Sequence, residues 1–466
     1  MATRAEHPPS MRRWVKPLVA AAAIACLLLG AWAYRAGNGP SGSSPLSDDQ
    51  LGRRFVLLAR ALGQIAPQEV DGDFGPAIAG VSDSGPIGSL PQLKSELERL
   101  SADMRAVPMG DDPRRERLAR RTDHLLALVD SMISSDRMPF DAEQRRLFGL
   151  PPTQPRLADY AAARAALDRL LPGPGSLTTR VEAFRRALII PERARPAVFA
   201  AALAECRRRT AQHWRLPSAE RLDVDWTGAV DAAWHRYRGH YRSSLQINPA
   251  AVAFVGSAVD VACHEGYPGH HAQFVLADAA AARAGGPPVE DMIVLLRSPG
   301  SLLREGAAEY GLALVFPVAE RLAFERRVLF PLAGLPVGDA ARYEQVRQLL
   351  YDLAPAALPI LRAYRDGAID RSNAAAGLDR EALIASPQAL LSFVDTLGAY
   401  AAGYTAAREQ VRQAVDTPGA SDAMRWGRLA RLIRSADDAP LDRARARPQP
   451  GAAPPVTTAS PPNDRR

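Results

Sequence analysis

The sequence predicts a mainly α-helical protein, and three observations carry that reading. Apolar residues make up 47% of the chain and aromatics only 6%, with alanine and leucine dominant. β-Branched runs are short, and most segments repeat their apolar residues at helical spacing between proline and glycine breaks. A chain of 466 residues holds material for two or three domains and an ample core. The formal charge of +7 reflects arginine in scattered blocks such as Arg207-Arg208-Arg209 and Arg443 to Arg447, without aromatic interleaving. Such blocks read as solvated helix faces, so no nucleic-acid partner is expected.

Residues 1–35 read as a membrane anchor or signal segment. Arg4, Arg12, Arg13 and Lys16 precede an unbroken apolar run from Pro17 to Ala33, about long enough to cross a bilayer. The charge bias leaves the N-terminus in the cytosol and exports the remainder of the chain. An uncleaved anchor is favoured over a cleaved signal, which would release the protein as secreted. Residues 36–46 form a Gly/Ser-rich linker. Cys26 lies in the apolar run, leaving Cys206 and Cys263, which pair only if the fold brings them together. Cys263 otherwise reads as a small buried side chain.

Residues 47–215 read as a helical domain. Ser47-Asp48-Asp49 supplies a cap and first-turn acids for a helix carrying Leu51, Phe55, Leu58 and Leu62. Residues 66–88 read as a loop. Helices are expected over Leu90–Val107, Pro113–Ser135, Leu157–Leu171 and Pro196–Trp214, and Met138–Thr153 lacks clear periodicity. Residues 216–439 form the second domain. Leu222, Val224 and Trp226 alternate with charged residues as a short strand. Trp234–Tyr241 looks helical and Ser243–Ile247 reads as a second strand. Asn248-Pro249 opens a helix running through Val252, Val255, Val259 and Cys263 into His264. Ala272–Ala284, 289–297, 301–316, Arg342–Leu353, Leu358–Asp366 and Leu391–Val415 continue in helical period. Residues 440–466 read as a disordered Pro/Ala/Arg-rich tail.

One stretch concentrates the chemistry. Three of the eight histidines fall in His264-Glu265-Gly266-Tyr267-Pro268-Gly269-His270-His271. Imidazoles bind zinc, and a catalytic zinc site needs a nearby carboxylate to take a proton from water. On an unbroken helix His264 and His271 would lie about 10.5 Å apart along the axis, too far for one ion. A two-residue bulge at Tyr267-Pro268 would instead let His270 sit one turn beyond His264, with His271 the competing ligand. Glu265 would then face the open side of the metal. Glu305, in Arg304-Glu305-Gly306-Ala307-Ala308-Glu309-Tyr310, is the expected third ligand and Glu309 its competitor. Asp260, one turn before His264, could accept a hydrogen bond from its free nitrogen.

The eight-residue stretch resembles the H-E-x-x-P-G-H-H signature of a bacterial family known as domain of unknown function 885, which is similar to gluzincin metallopeptidases. Glu305-Gly306-Ala307-Ala308-Glu309-Tyr310 resembles that family's E-G-W-A-x-Y, with Ala307 in place of Trp, and Tyr400-Ala401-Ala402-Gly403 resembles its Y-x-x-G element. The resemblance implies a zincin-like helical fold for the second domain, with a small β-sheet at the active-site edge. It implies His264, His270 and Glu305 as Zn²⁺ ligands, Glu265 as the catalytic carboxylate and Tyr400 as an oxyanion donor. It also implies an edge strand over Tyr241–Asn248 against which an extended peptide could pair. His271, Asp260, Glu309, Tyr310 and Asn248 are further candidates for supporting ligands or facing substrate. The function expected is a zinc metallopeptidase with its bulk outside the cytoplasm. The alternative is a catalytically inactive zincin-like binding or scaffold protein at the cell envelope.

Overall fold

The computed structural model describes residues 46–78, 87–106, 112–134, 136–229 and 232–434. The anchor or signal segment, the linker up to its last residue, and the 440–466 tail lie outside the described residues. Among the described residues no single helix is long and apolar enough to cross a membrane.

The chain is mainly helical, in line with its composition. Helix α1 (Asp48–Ile65) buries Leu51, Phe55, Leu58 and Leu62 along one stripe, as the spacing requires. A short strand β1 (Val70–Asp73) follows. Helices α2 (Leu90–Arg105) and α3 (Pro113–Ile133) begin at Ser89 and Asp112, whose side chains accept backbone N–H bonds. Next come α4 (Phe140–Phe148), α5 (Ala161–Leu170), α6 (Leu177–Arg186) and α7 (Arg195–Thr210). Strands β2 (Arg221–Trp226), β3 (Ala233–Tyr237) and β4 (Arg242–Ile247) form a three-stranded sheet with β4 in the middle, parallel to β2 and antiparallel to β3.

Helices α8 (Val255–Val261) and α9 (His270–Arg283) flank the histidine stretch, and β5 (Ile293–Leu295) leads into α10 (Pro299–Val315). The C-terminal part comprises α11 (Val318–Phe324), α12 (Phe330–Ala333), α13 (Ala340–Leu353), α14 (Ala357–Arg365), α15 (Arg371–Ala382), α16 (Pro387–Leu397), α17 (Ala406–Val415) and α18 (Asp422–Arg434). Helices α5, α6 and α13 to α16 share a core around Leu167, Val181, Leu353, Ile360, Leu378 and Leu391. Helix α10 is buried almost all round, the mark of a central helix. Gly306 lets α17 approach it, since a Cβ there would lie 2.5 Å from the Ala407 carbonyl carbon.

Among the described residues no boundary at residue 215 separates two units, because those from Asp48 onward cluster together. Strand β1 pairs antiparallel with β5, more than 200 residues later. Arg114 pairs with Glu290 at 2.8 Å, and Arg297 donates to Glu69 at 2.6 and 2.9 Å.

Several segments differ from expectation, and in each case distant pairing or a short element explains it. Trp234–Tyr241 is not helical: β3 buries His235 and Tyr237 on one face, then turns through Gly239, His240 and Tyr241, all at positive φ. Residues 289–297 form one tight helical turn and then β5, whose Ile-Val-Leu is buried throughout. The 66–88 loop contains β1, held by that same partner. Met138–Thr153 contains α4, stopped by Gly149 at φ 57°. Leu391–Val415 breaks at Gly398, where a Cβ would collide with the Glu143 carboxylate. The segment Tyr241–Asn248 is not an edge: β4 is central, the edges are β2 and β3, and β3 is the one that lines the cleft.

Candidate metal centre

The histidine stretch makes its geometry through the backbone. Helix α8 ends in a widened π-helical turn, Ala262–Gly266, and the chain leaves it through a cis Tyr267-Pro268 bond before α9 restarts at His270. The Gly269 N–H donates to the Cys263 carbonyl at 3.0 Å. A Cβ on Gly269 would overlap the His264 carbonyl oxygen, so only glycine fits this close approach. Pro268 packs against α10, where a Cβ on Gly311 would come within 2.9 Å of its Cγ. The inserted residues thus bring the His264 and His270 rings to 4.8 Å between centroids, nearly perpendicular. Gly269→Ala is expected to cost roughly 3 kcal/mol or more, because backbone rather than a flexible side chain must give way. Chemical denaturation measures the loss.

Glu305, projected from α10, completes the group. Its carboxylate lies 3.3 Å from His264 Nε2 and 3.2 Å from His270 Nε2. The three candidate ligand atoms all fall within 4.8 Å of one another. Zinc bonds of about 2.0–2.1 Å in tetrahedral geometry place ligand atoms roughly 3.3 Å apart. Glu305 Oε2 is buried and faces His264 Nε2 at 3.3 Å without a well-formed hydrogen bond, a placement that suits a shared cation. His264 Nδ1 meets Glu309 at 3.0 Å, the carboxylate–histidine pairing that orients a metal ligand. The donor set therefore fits zinc.

The charges agree with that fit. Burial opposes ionisation of Glu305, but the His270 and His264 imidazoles outweigh it and hold the carboxyl well below its usual range. Burial likewise opposes a charged His264, and Glu305 and Glu309 overcome it, drawing a positive charge to this position. Glu265 lines the same cleft, whose volume is ≈ 620 Å³, with no hydrogen bond or ion pair to its carboxylate among the described residues. The Tyr400 hydroxyl donates to Glu305 Oε1 at 2.9 Å. It stays protonated, since burial and then Glu305 raise it well above its ordinary value. Tyr400 thus holds the Glu305 carboxylate from the edge of the cleft.

His271 points away from the group. Fully buried, it bonds the Ser243 hydroxyl at 2.8 Å through Nδ1 and Glu220 at 2.8 Å through Nε2. Tyr267 donates to the same Glu220 oxygen at 2.7 Å, and His235 joins Ser243 at 2.9 Å. Burial would raise the Glu220 carboxyl, but bonds from His271 and Tyr267 outweigh it and bring it down to about 2. A depressed carboxyl stabilises the fold above its unfolded value of 4.5 and loses that contribution as pH falls towards 2. Glu220→Gln is therefore expected to flatten acid unfolding in that window by up to roughly 3 kcal/mol, read from denaturation curves at stepped pH.

Three expected residues lie elsewhere. Asp260 pairs with the buried Arg321 at 2.7 Å, so Glu309 takes the role foreseen for it. Tyr310 donates to Asp416 at 2.7 Å and does not line the cleft. Asn248 caps the turn after it, accepting from Ala250 N–H at 2.9 Å, and is likewise absent from the cleft wall. Among the cleft residues that went unforeseen, His235 and Asp71 bear most directly on the charges there. His235 lies 5.9 Å from the His270 ring and stacks on Phe274. Burial and then the neighbouring histidines hold it well below its usual value, hence neutral. Asp71 enters from β1. Neither carries a local sequence signal, because both depend on strands too short to show a period.

No protein-family model and no curated protein matches the sequence. Two solved structures share part of its shape. One is a candidate lipoprotein from Colwellia psychrerythraea, 13% identical with a TM-score of 0.43, covering 84% of this chain and 75% of that one. The other is a candidate lipoprotein of unknown function from Shewanella oneidensis, 12% identical with a TM-score of 0.46, covering 89% and 75%.

Proposed function

We propose that this protein is a zinc-dependent peptide hydrolase with a zincin-like centre, working outside the cytoplasm. The observation that carries the reading is the convergence of His264 Nε2 and His270 Nε2 on the Glu305 carboxylate, beside a cleft into which Glu265 opens. A zinc ion held by those three residues would supply Lewis acidity and bring the pKa of a water to about 7. Glu265 takes the proton from the attacking water and returns it to the leaving amine. Glu309 fixes the His264 ring and Tyr400 fixes the Glu305 carboxylate. The free edge of β3, carrying the exposed Trp234 along the cleft wall, suits an extended peptide.

The Cys206–Cys263 disulfide supports an oxidising compartment, as does the basic, then apolar, N-terminal segment. The test is metal analysis of the purified chain together with turnover of a panel of short peptides. One zinc per chain and hydrolysis that a chelator stops and zinc restores are expected. Zinc binding without turnover of any peptide would favour a binding or scaffold protein instead.

A further inference from the structure

Strand β1 carries a bulge at the cleft. Val70 faces Leu295 and Gly72 faces Val294 on β5, so Asp71 is the extra residue between them. A bulge re-aims a side chain out of the regular alternation and often does so beside an active site. Here it places Asp71 on the wall of the same cleft as His270, Glu305 and Glu265.

The neighbouring carboxylates show what is unusual about it. Glu69 receives two bonds from Arg297, at 2.6 and 2.9 Å, and Asp73 two from Arg60, at 2.7 and 2.9 Å. Asp71, between them, has no hydrogen bond or ion pair among the described residues. Burial, partly offset by the charges of His270 and Arg304 nearby, raises its carboxyl to about 6. The two arginines of the cleft wall are seated on aromatic rings, Arg304 over Phe274 at 5.1 Å and Arg236 over Trp234 at 4.9 Å. A half-buried carboxylate left without a hydrogen-bond donor is costly, even with His270 and Arg304 near enough to act on it through space, and the cost is recovered when a ligand brings a charged donor into contact. A second metal ion fits poorly, because Asp71 is not part of the converging ligand group. An ammonium needs only one such acceptor.

We propose that Asp71 docks a primary ammonium group of the peptide, making it the specificity-determining residue of the cleft. The inference rests on the reading of this cleft as a peptide site. The ammonium has two sources, a free α-amino terminus or a lysine side chain near the scissile bond.

Equilibrium binding to the zinc-loaded full chain carrying Glu265→Gln tests this without turnover. The probes are tetra-alanine with a free amino terminus, its N-acetylated form, and an N-acetylated form containing one lysine. Either ammonium-bearing peptide should bind about tenfold more tightly than the acetylated peptide without lysine, and the tighter of the two identifies the source. Asp71→Asn, added with unchanged zinc content and melting temperature, should erase the difference. Equal affinities, no binding of any probe, or a preference that survives Asp71→Asn overturns the proposal. The preference of the unsubstituted Asp71 site is itself decisive should the variant fold poorly. A preference without hydrolysis by the unsubstituted enzyme sinks the hydrolase reading alone, whereas hydrolysis without a charge preference sinks only the docking role.

Discussion

Glu265→Gln is expected to keep one zinc per chain while hydrolysis falls by about 10²- to 10⁴-fold, the usual worth of a positioned general base. The structure separates the two readouts. Glu265 follows His264 in the widened turn, lines the cleft, and stands outside the ligand group formed by His264, His270 and Glu305. Glutamine keeps its length and its capacity to accept a hydrogen bond but cannot take up a proton from water at neutral pH. Glu305→Gln gives the contrast, since it removes the charge that both imidazoles face. That variant is expected to lose zinc and activity together. Elemental analysis and a fluorogenic peptide assay on the same preparations distinguish the pair. Undiminished turnover in Glu265→Gln would remove the mechanism, and loss of zinc in that variant would make Glu265 a ligand instead.

How much of this was legible beforehand depended on the range of the interaction. The stripe of Leu51, Phe55, Leu58 and Leu62 needs only helical geometry, and it is buried as its spacing dictates. The approach of His270, rather than His271, to His264 was equally readable, because Pro268 and Gly269 forbid a regular helix and leave few ways on. Glu305 and Glu309 stand one turn apart on one helix, and both reach His264, one at each ring nitrogen. Spacing alone left the two as competitors, since the choice depends on how α10 lies against the turn, and only the resemblance put Glu305 first.

Longer-range partners left no local trace. Asp71 is aimed by a bulge whose partner strand lies more than 200 residues on. Arg321 takes Asp260 from the role its spacing suggested, through a contact 61 residues apart. Strand β3 was misread because Trp234-His235-Arg236-Tyr237 is too short for period two to outweigh the helical pattern around it. Its pairing with β4 decides the matter.

Replacing both Cys206 and Cys263 by alanine is expected to remove about 4 kcal/mol of stability, from a closed loop of 57 residues in the chain-entropy picture. The effect should also reach the metal centre. Cys206 lies near the end of α7, and Cys263 sits in the widened turn directly before His264. Both are fully buried, with Cα atoms 5.5 Å apart. The bond thus ties α7 to the turn that must hold one imidazole in register with Glu305, and a looser turn binds the ion less well. Zinc affinity should therefore drop in the double variant even where it remains folded, whereas a remote core cavity of similar cost would lower stability and leave affinity alone. Thiol titration of the denatured, unreduced protein checks the premise. One free thiol is expected, from Cys26, or none where the N-terminal segment has been removed. Cys206 and Cys263 appearing as free thiols in protein from an oxidising compartment would dismiss both the pairing and the stabilisation assigned to it.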